Sequence, residues 1–151
     1  TTFIAQNKGA GKKERIRRGF QSGIGIELVY GLILLVLMYF GAEKIMGLFT
    51  SQEDAQVVAL GRSYLHLVSW MYILPAITNG IQGFFRGMGD LKVTLYSTFM
   101  NMAGRVLAVI VMFLVFHLGF GSLAGANLIG WIVMLLFEIP LLMRQLKELR
   151  K

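Results

Sequence analysis

The chain has 151 residues, of which 56% are hydrophobic and only 15% are charged, and its mean hydropathy is +0.65. Soluble domains carry about 25% charged residues, so this composition is too poor in charge to cover a water-soluble globule. The absence of cysteine excludes disulfides, thiolate metal sites and cysteine nucleophiles. A net charge of +7 would suit either a nucleic-acid binder or a membrane protein with a basic edge, depending on where the cations lie.

The chain opens with a basic, glycine-containing stretch, AQNKGAGKKERIRRGF at residues 5–20. A phosphate-binding P-loop would need glycine where Gln6 stands and Ser or Thr where Lys13 stands. Residues 5–19 also contain no aromatic side chain that could stack on a base, so no nucleic-acid partner is expected. We therefore interpret residues 1–19 as a cytosolic loop whose cations hold the topology and meet anionic lipid headgroups.

Four long apolar stretches follow this opening. Each has at least 20 residues, which is the length a helix needs to cross about 30 Å of hydrocarbon at 1.5 Å per residue. Short glycine-rich connections between them favour antiparallel neighbours. The sequence thus predicts an all-α integral membrane protein with four antiparallel transmembrane helices and a polar tail at 144–151. The predicted spans are 20–42, 57–85, 93–118 and 123–143.

The positions of the cations predict an orientation. Residues 8–18 contain 6 Lys or Arg, residues 86–92 contain 2, and residues 144–151 contain 4, which is 12 of the total of 15. All three groups fall on one side of a four-helix zigzag, and such an excess marks the cytoplasmic side. We expect a multi-pass protein of the plasma membrane with both termini in the cytosol.

Several motifs of the chain resemble the multidrug and toxic compound extrusion (MATE) transporter family. AQNKGAGKKERIRRG resembles the loop after the family's eighth helix, and YILPAITNGIQGFFRGMGDLK resembles its tenth helix and the following turn. The Arg105 segment and SLAGANLIGWIV resemble the eleventh and twelfth helices. The resemblance assigns signature roles in the two cytosolic loops to these residues: Gln6, Asn7, Gly9, Gly11, Arg15, Arg86, Gly87, Gly89 and Asp90.

The resemblance implies that the chain is a fragment, namely the last four of twelve helices and part of a six-helix C-terminal lobe. The N-terminal lobe of the same transporter would be its missing partner. It further implies export of cationic drugs or toxic amphiphiles, driven by inward flow of H⁺ or Na⁺. The chain departs from the family in one place, because Pro75 stands where some branches carry a coupling Asp. We expect Pro75 to kink the second span, since proline deletes one backbone hydrogen bond.

Three charged residues lie deep inside the predicted spans, namely Glu27, Arg105 and Glu138, whereas Arg62 lies near the start of the second span. Placing one in lipid costs about 2.5–3.5 kcal/mol on insertion scales, so such residues should face protein or water. Glu27 and Glu138 are therefore candidates for an ion-coupling carboxylate in a wet cavity. Alternatively, Arg105 forms a structural clamp with one of them, or the carboxylates reach towards the headgroups.

Polar residues at helical spacing provide further site candidates. The second span places Tyr72, Pro75, Asn79 and Gln82 along one face, where they could line a substrate path or form interhelical hydrogen bonds worth about 0.6 kcal/mol each. Asn101 and Trp131 are the corresponding candidates in the third and fourth spans. No nucleophile-and-base arrangement stands out, and the two histidines are isolated. We therefore expect no enzyme, no metal site and no cofactor beyond the coupling ion.

Three functions remain open at this point. The first is a secondary-active antiporter that works by alternating access around a central site. The second is a lipid-linked saccharide flippase of the same superfamily, which usually carries more cations in its cavity. The third is a structural or interaction subunit of the membrane that does not transport.

Overall fold

The structure is a computed structural model that describes residues 1–49, 55–114, 117 and 121–150. The described residues form six α-helices and one 3₁₀ turn, which lies between the third and fourth α-helices. In chain order these elements are α1 (Thr2–Gly9), α2 (Lys13–Gly47), α3 (Ala55–Ser69), the 3₁₀ turn (Trp70–Tyr72), α4 (Ile73–Gly87), α5 (Leu91–Leu114) and α6 (Gly121–Glu148).

Four helical segments are long and apolar enough to cross a membrane: Lys13–Gly47, Ala55–Gly87, Leu91–Leu114 and Ser122–Glu148. A helix satisfies its own backbone hydrogen bonds, which lipid cannot do. Large apolar side chains remain exposed along these helices, as at Phe40, which suits hydrocarbon rather than water as the solvent. The prediction of an all-α integral membrane protein is confirmed. Apart from His117, the expected end of the third span beyond Leu114 lies outside the described residues.

Contacts between side chains give the relative directions of the helices. Phe20 near the start of α2 meets Phe84 near the end of α4, with ring centroids 5.0 Å apart. Tyr39 near the end of α2 stacks on His66 of α3 at 4.6 Å. The second span therefore runs antiparallel to α2, as the sequence predicts.

The hairpin of α5 and α6 is closely packed through glycines. A Cβ atom added at Gly104 would lie 3.6 Å from the Cα of Gly130, and one added at Gly130 would lie 3.1 Å from the carbonyl oxygen of Asn101. Small residues of this kind let two helix backbones approach where the hydrophobic effect cannot drive association. The same register brings Met112 of α5 to Gly125 of α6, so these two helices are also antiparallel.

The interpretation of residues 1–19 as a loop is wrong in conformation, because α1 covers Thr2–Gly9 and α2 already begins at Lys13. Hydropathy detects only the part of a helix that lipid surrounds. The first turns of α2 are instead polar, and Glu14 forms ion pairs with Arg17 at 3.8 Å and Arg18 at 3.0 Å. At 1.5 Å per residue, α2 is roughly 50 Å long and exceeds the hydrocarbon thickness.

Both glycine-rich signature turns are helix C-terminal caps of the Schellman type. After α1, Gly11 has a φ of +66°, and the next amide donates to the carbonyl of Asn7 at 2.9 Å. After α4, Gly89 has a φ of +76°, and the amide of Asp90 donates to the carbonyl of Phe85 at 2.9 Å. A left-handed residue is required at this cap position, and glycine adopts that conformation without strain.

The two caps lie side by side because α1 docks against the end of α4. The ammonium of Lys8 donates to the carbonyl of Met88, and the hydroxyl of Thr1 donates to the carbonyl of Gly83 at 3.3 Å. Gly87 permits this docking, since a Cβ there would lie only 2.7 Å from the Cβ of Ile4. The buried apolar cluster of the chain forms at the same end and joins α1, α2, α4, α5 and α6. Its members are Ile4, Ile16, Phe20, Ile81, Phe84, Phe85, Val93 and Leu142.

The second span is interrupted near its middle, as expected from Pro75. The 3₁₀ turn Trp70–Tyr72 separates α3 from α4, and Pro75 is the third residue of α4. Proline is tolerated there because an amide in the first turn has no intrahelical acceptor. At Gly31, α2 packs closely against this interruption. A Cβ atom added to Gly31 would lie 3.5 Å from the carbonyl oxygen of Tyr72.

Candidate functional site

A groove of about 730 Å³ lies between α2 and α4, beside α1. Four glycines line it: Gly19, Gly23, Gly80 and Gly83. Gly23 and Gly83 leave space, whereas the Phe3 ring fills the place of a side chain at Gly19, 2.3 Å from the Cβ position. The approach is close, since a Cβ at Gly80 would lie 2.4 Å from the Cδ1 of Ile24. Sequence reasoning did not identify this groove, although the repeated glycines on both helices were a signal for it.

The groove is polar at both ends but with different charge. Glu27, partly buried, and Asn79, exposed, line the part further from α1. The carboxylate lies beside Gly80, where an added Cβ would be 3.8 Å from the Glu27 Cγ. Arg18 and Arg86 line the part nearer the helix ends. Glu27 comes nine positions after Arg18, or about 13 Å further along α2, so the two residues line different levels of the groove.

Asn79 and Gln82, predicted to share one face, have different environments. The Asn79 side chain is exposed in the groove, whereas Gln82 is buried and only 8% exposed. The Gln82 Nε2 donates a hydrogen bond of 3.3 Å to the Glu138 Oε1. On this polar face of α4, Asn79 therefore lines the groove, whereas Gln82 takes part in packing between α4 and α6.

Glu138 belongs to a closed polar cluster between α4, α5 and α6. Its side chain is fully buried, as is that of Ser97, which lies next to the carboxyl group. The Ser97 hydroxyl donates to the carbonyl of Val93 at 2.7 Å. The second carboxyl oxygen of Glu138 is buried and has no hydrogen-bond partner among the described residues. The sequence indicated both glutamates as candidates, but it could not show that Glu27 is partly exposed in a groove while Glu138 is fully buried.

The structural clamp expected from Arg105 is not formed within these helices. Arg105 is exposed, and within the described ranges no ion pair of 4 Å or less joins it to Glu27 or Glu138. Its aliphatic stem lies instead over Gly130, where an added Cβ would be 2.3 Å from the Arg105 Cγ. Gly130 is about 12 Å of helix away from Glu138, so the register of the hairpin separates the two charges.

The remaining cavity candidates lie outside the groove. Tyr72 and Pro75 are partly buried at the interruption of the second span. Asn101 faces α6 through its carbonyl oxygen, and Trp131 is partly buried on α6. In the part of the chain that the structure describes, no three His, Asp or Glu residues come together as a metal-binding group.

The signature residues of the two loops shape the turns rather than a ligand site. Asn7 is buried and its Nδ2 donates to the carbonyl of Phe3 at 2.7 Å, while the Arg15 guanidinium lies 5.9 Å from the centre of the Phe3 ring. Gln6 is exposed and its carbonyl accepts the amide of Ala10, and Gly9 has open space around its Cα. Arg86 is the signature side chain that also lines the groove.

Comparison with known proteins agrees with the fold and the turns. The MatE family profile matches residues 1–108. The chain is 31% identical over 122 residues to the probable multidrug resistance protein NorM of Rhizobium meliloti, covering 80% of the chain and 25% of that protein. It is 31% identical over 98 residues to the protein of the same name from Pseudomonas aeruginosa, covering 62% of the chain and 20% of that protein.

A third relative, the probable multidrug resistance protein YoeA of Bacillus subtilis, is 26% identical over 59% of the chain and 19% of its own length. The chain thus spans about a quarter or less of the length of these relatives. No solved structure matches it. With a family match over more than two thirds of its residues and four helices able to cross a membrane, the chain belongs to the MatE (multidrug and toxic compound extrusion) family of multi-pass membrane proteins.

Proposed function

We propose that the chain forms part of a secondary-active antiporter that exports cationic drugs or toxic amphiphiles in exchange for H⁺ or Na⁺. The observation that carries this proposal is the groove between α2 and α4, which Glu27 and Asn79 both line from two membrane-spanning helices. The names of the relatives, which are multidrug resistance proteins, support the same function.

The groove has the properties that an amphiphilic cation requires. Its volume falls within the range of about 300–1,000 Å³ that is usual for small-molecule sites. Phe20, Ile26 and Phe84 supply apolar surface, and the Glu27 carboxylate supplies the opposite charge. A drug cation and a coupling ion would compete for this one carboxylate, because each neutralises it. Such competition is a direct physical basis for exchange of the two.

Of the two candidate carboxylates, Glu27 suits ion coupling better. It is partly exposed and lines an open groove, so an ion can reach it from water without rearrangement of the helices. Glu138 is fully buried, and its exchange with water would require α4, α5 or α6 to move. We assign Glu138 the role of holding Gln82 and Glu27 the role of binding the ion.

The proposal also specifies the surroundings of the chain. The remaining helices of the transporter, including its N-terminal lobe, would be the partners against which this bundle rocks in alternating access. The transporter would lie in the plasma membrane with both ends of this chain in the cytosol, following the cation excess. No enzymatic activity and no cofactor beyond the coupling ion are proposed.

A lipid-linked saccharide flippase is the second candidate. Arg18 and Arg86 favour it, because both line the groove and guanidinium groups bind phosphate oxygens. An antiporter requires the Glu27 end of the groove, whereas a flippase requires the two arginines. A subunit that does not transport would require neither.

The test uses the complete transporter that contains this chain, reconstituted in vesicles, with efflux of ethidium measured while a proton or a sodium gradient is imposed separately. Glu27→Gln should abolish the acceleration by the coupling gradient. Glu43→Gln is the matched control, because Glu43 lies on the same helix but pairs at 3.6 Å with the exposed Arg62, outside the groove. Translocation of a labelled lipid diphosphate that is lost in Arg86→Gln, together with no ethidium transport, would favour the flippase. Inactivity in both assays would favour the subunit.

A further inference from the structure

A second crevice, of about 340 Å³, lies between the first turns of α2 and the last turns of α6. It is separate from the groove that faces α4 and shares only Phe20 with it. Three cations line this crevice: Arg17 from α2, Lys147 from α6, and Arg150 two residues after the end of α6. The side chains of Met143 and Leu146 form its apolar wall. The transport function proposed above does not use it.

The positive charge of this crevice is incompletely balanced. Its lining contains no acidic residue. Glu14 lies 3.8 Å from Arg17 but only 3.0 Å from Arg18, so Arg18 is its closer partner. The Nε of Arg17 is buried and has no hydrogen-bond partner in the described ranges. A buried guanidinium nitrogen without an acceptor is costly, so Arg17 has unused hydrogen-bonding capacity beside the crevice.

The apolar wall continues from the crevice along α6. Met143 and Lys147 also line an adjacent depression that reaches Pro140. Arg144 on the same side pairs with Glu148 at 3.5 Å, which balances its charge and leaves the cations of the crevice unaffected. Both helices are long and apolar enough to span a membrane, so this boundary between cations and apolar surface lies near the end of each span.

We propose that this crevice binds an anionic phospholipid, with the phosphate held by Arg17, Lys147 and Arg150 and an acyl chain lying along Met143 towards Pro140. Basic pockets between membrane helices commonly bind anionic headgroups. A free phosphate would account for the cations but not for the continuous apolar wall beneath them. The bound lipid would tie the start of α2 to the end of α6, two helices from opposite ends of the chain.

Native mass spectrometry of the purified protein in detergent tests this proposal. The protein is titrated with dioleoyl phosphatidylglycerol, with dioleoyl phosphatidylcholine and with inorganic phosphate. We expect phosphatidylglycerol to remain bound preferentially. Each cation near an anionic lipid contributes a factor of about five in affinity, so Arg17→Gln with Lys147→Gln should weaken binding by about 25-fold.

The matched control is Lys12→Gln with Lys13→Gln, which removes two exposed cations from the same end of α2 that do not line the crevice. This control should change binding by less than about twofold. Size-exclusion profiles establish that each variant is folded. Should the double variant not fold, the single change Arg150→Gln, at an exposed helix end, should weaken binding about fivefold.

Three results would overturn the proposal. Equal weakening in the control pair would indicate diffuse surface charge rather than a defined site. Equal retention of phosphatidylcholine would show that the charge is not recognised. Displacement of the lipid by inorganic phosphate at the same concentration would show that the crevice takes a free anion.

Discussion

Gly87 offers the most direct test of how the signature turn after α4 is built. A Cβ at this position would lie 2.7 Å from both the Ile4 Cβ and the Thr1 carbonyl oxygen, well below an ordinary contact of 3.4 Å or more. Ile4 lies in α1, and the Thr1 carbonyl oxygen accepts the amide of Ala5 at the start of that helix, so Gly87→Ala should push α1 away and strain the bond from Lys8 to Met88. Overpacking of this kind costs about 1–3 kcal/mol.

The measurement is the free energy of unfolding in mixed micelles, obtained by titration with sodium dodecyl sulfate and followed by circular dichroism. Gly9→Ala is the matched control, because it is also at the end of a helix and has nothing within 4 Å of its Cβ position. Alanine there should be neutral or should stabilise by up to about 1 kcal/mol. The two variants should therefore differ by about 1–4 kcal/mol.

Equal unfolding free energies for Gly87→Ala and Gly9→Ala would refute this reasoning. They would mean that α1 does not dock on α4 as described. In that case the second glycine of the turn, Gly89, would alone account for the motif through its positive φ.

Three further predictions follow from the site and the turns. Glu27→Gln should flatten the dependence of ethidium efflux on the concentration of the coupling ion, and a dependence that superimposes on that of the unchanged protein would leave Glu27 a structural residue. Asn79→Ala should slow efflux about threefold to tenfold and leave the free energy of unfolding unchanged. Gln82→Ala should instead lower the free energy of unfolding by about 1–3 kcal/mol, because Glu138 loses its hydrogen-bond donor. The opposite pattern would make Gln82 the groove residue and Asn79 the packing residue. Gly89→Ala should lower the free energy of unfolding by about 1–2 kcal/mol in the same titration, because the φ of Gly89 is +76°. There is space for a Cβ at this position, so the cost comes from the backbone conformation alone. No measurable cost would mean that the residue is not left-handed.

The sequence was sufficient to find the four membrane-spanning helices because lipid selects uniformly apolar segments of a fixed minimum length. It was insufficient to find where α2 begins, since Lys13 and Glu14 lie outside the apolar run and are held helical by side-chain pairs and by the cap of α1. Pro75 correctly indicated an interruption, because the loss of an amide hydrogen is a local property of the residue.

The site was only partly predictable. Periodicity placed Asn79 and Gln82 on one helix face, but their separate environments depend on which neighbouring helix each one meets. The missing Arg105 clamp has the same origin, because the register of α5 against α6 follows from the close approach at Gly130 and not from charge. Interhelical register is a three-dimensional property that one helix pattern does not contain.

The interruption at Trp70–Tyr72 has a mechanical consequence. The first half of the second span, α3, contacts the end of α2 through the stacking of His66 on Tyr39. The second half, α4, is hydrogen-bonded to α1 from Lys8 to Met88 and to α6 from Gln82 to Glu138. Because the regular hydrogen-bond ladder is already broken between these halves, a bend there ruptures few additional backbone bonds. The second span can thus bend at this point at low backbone cost, while the uninterrupted α2 packs against both of its halves.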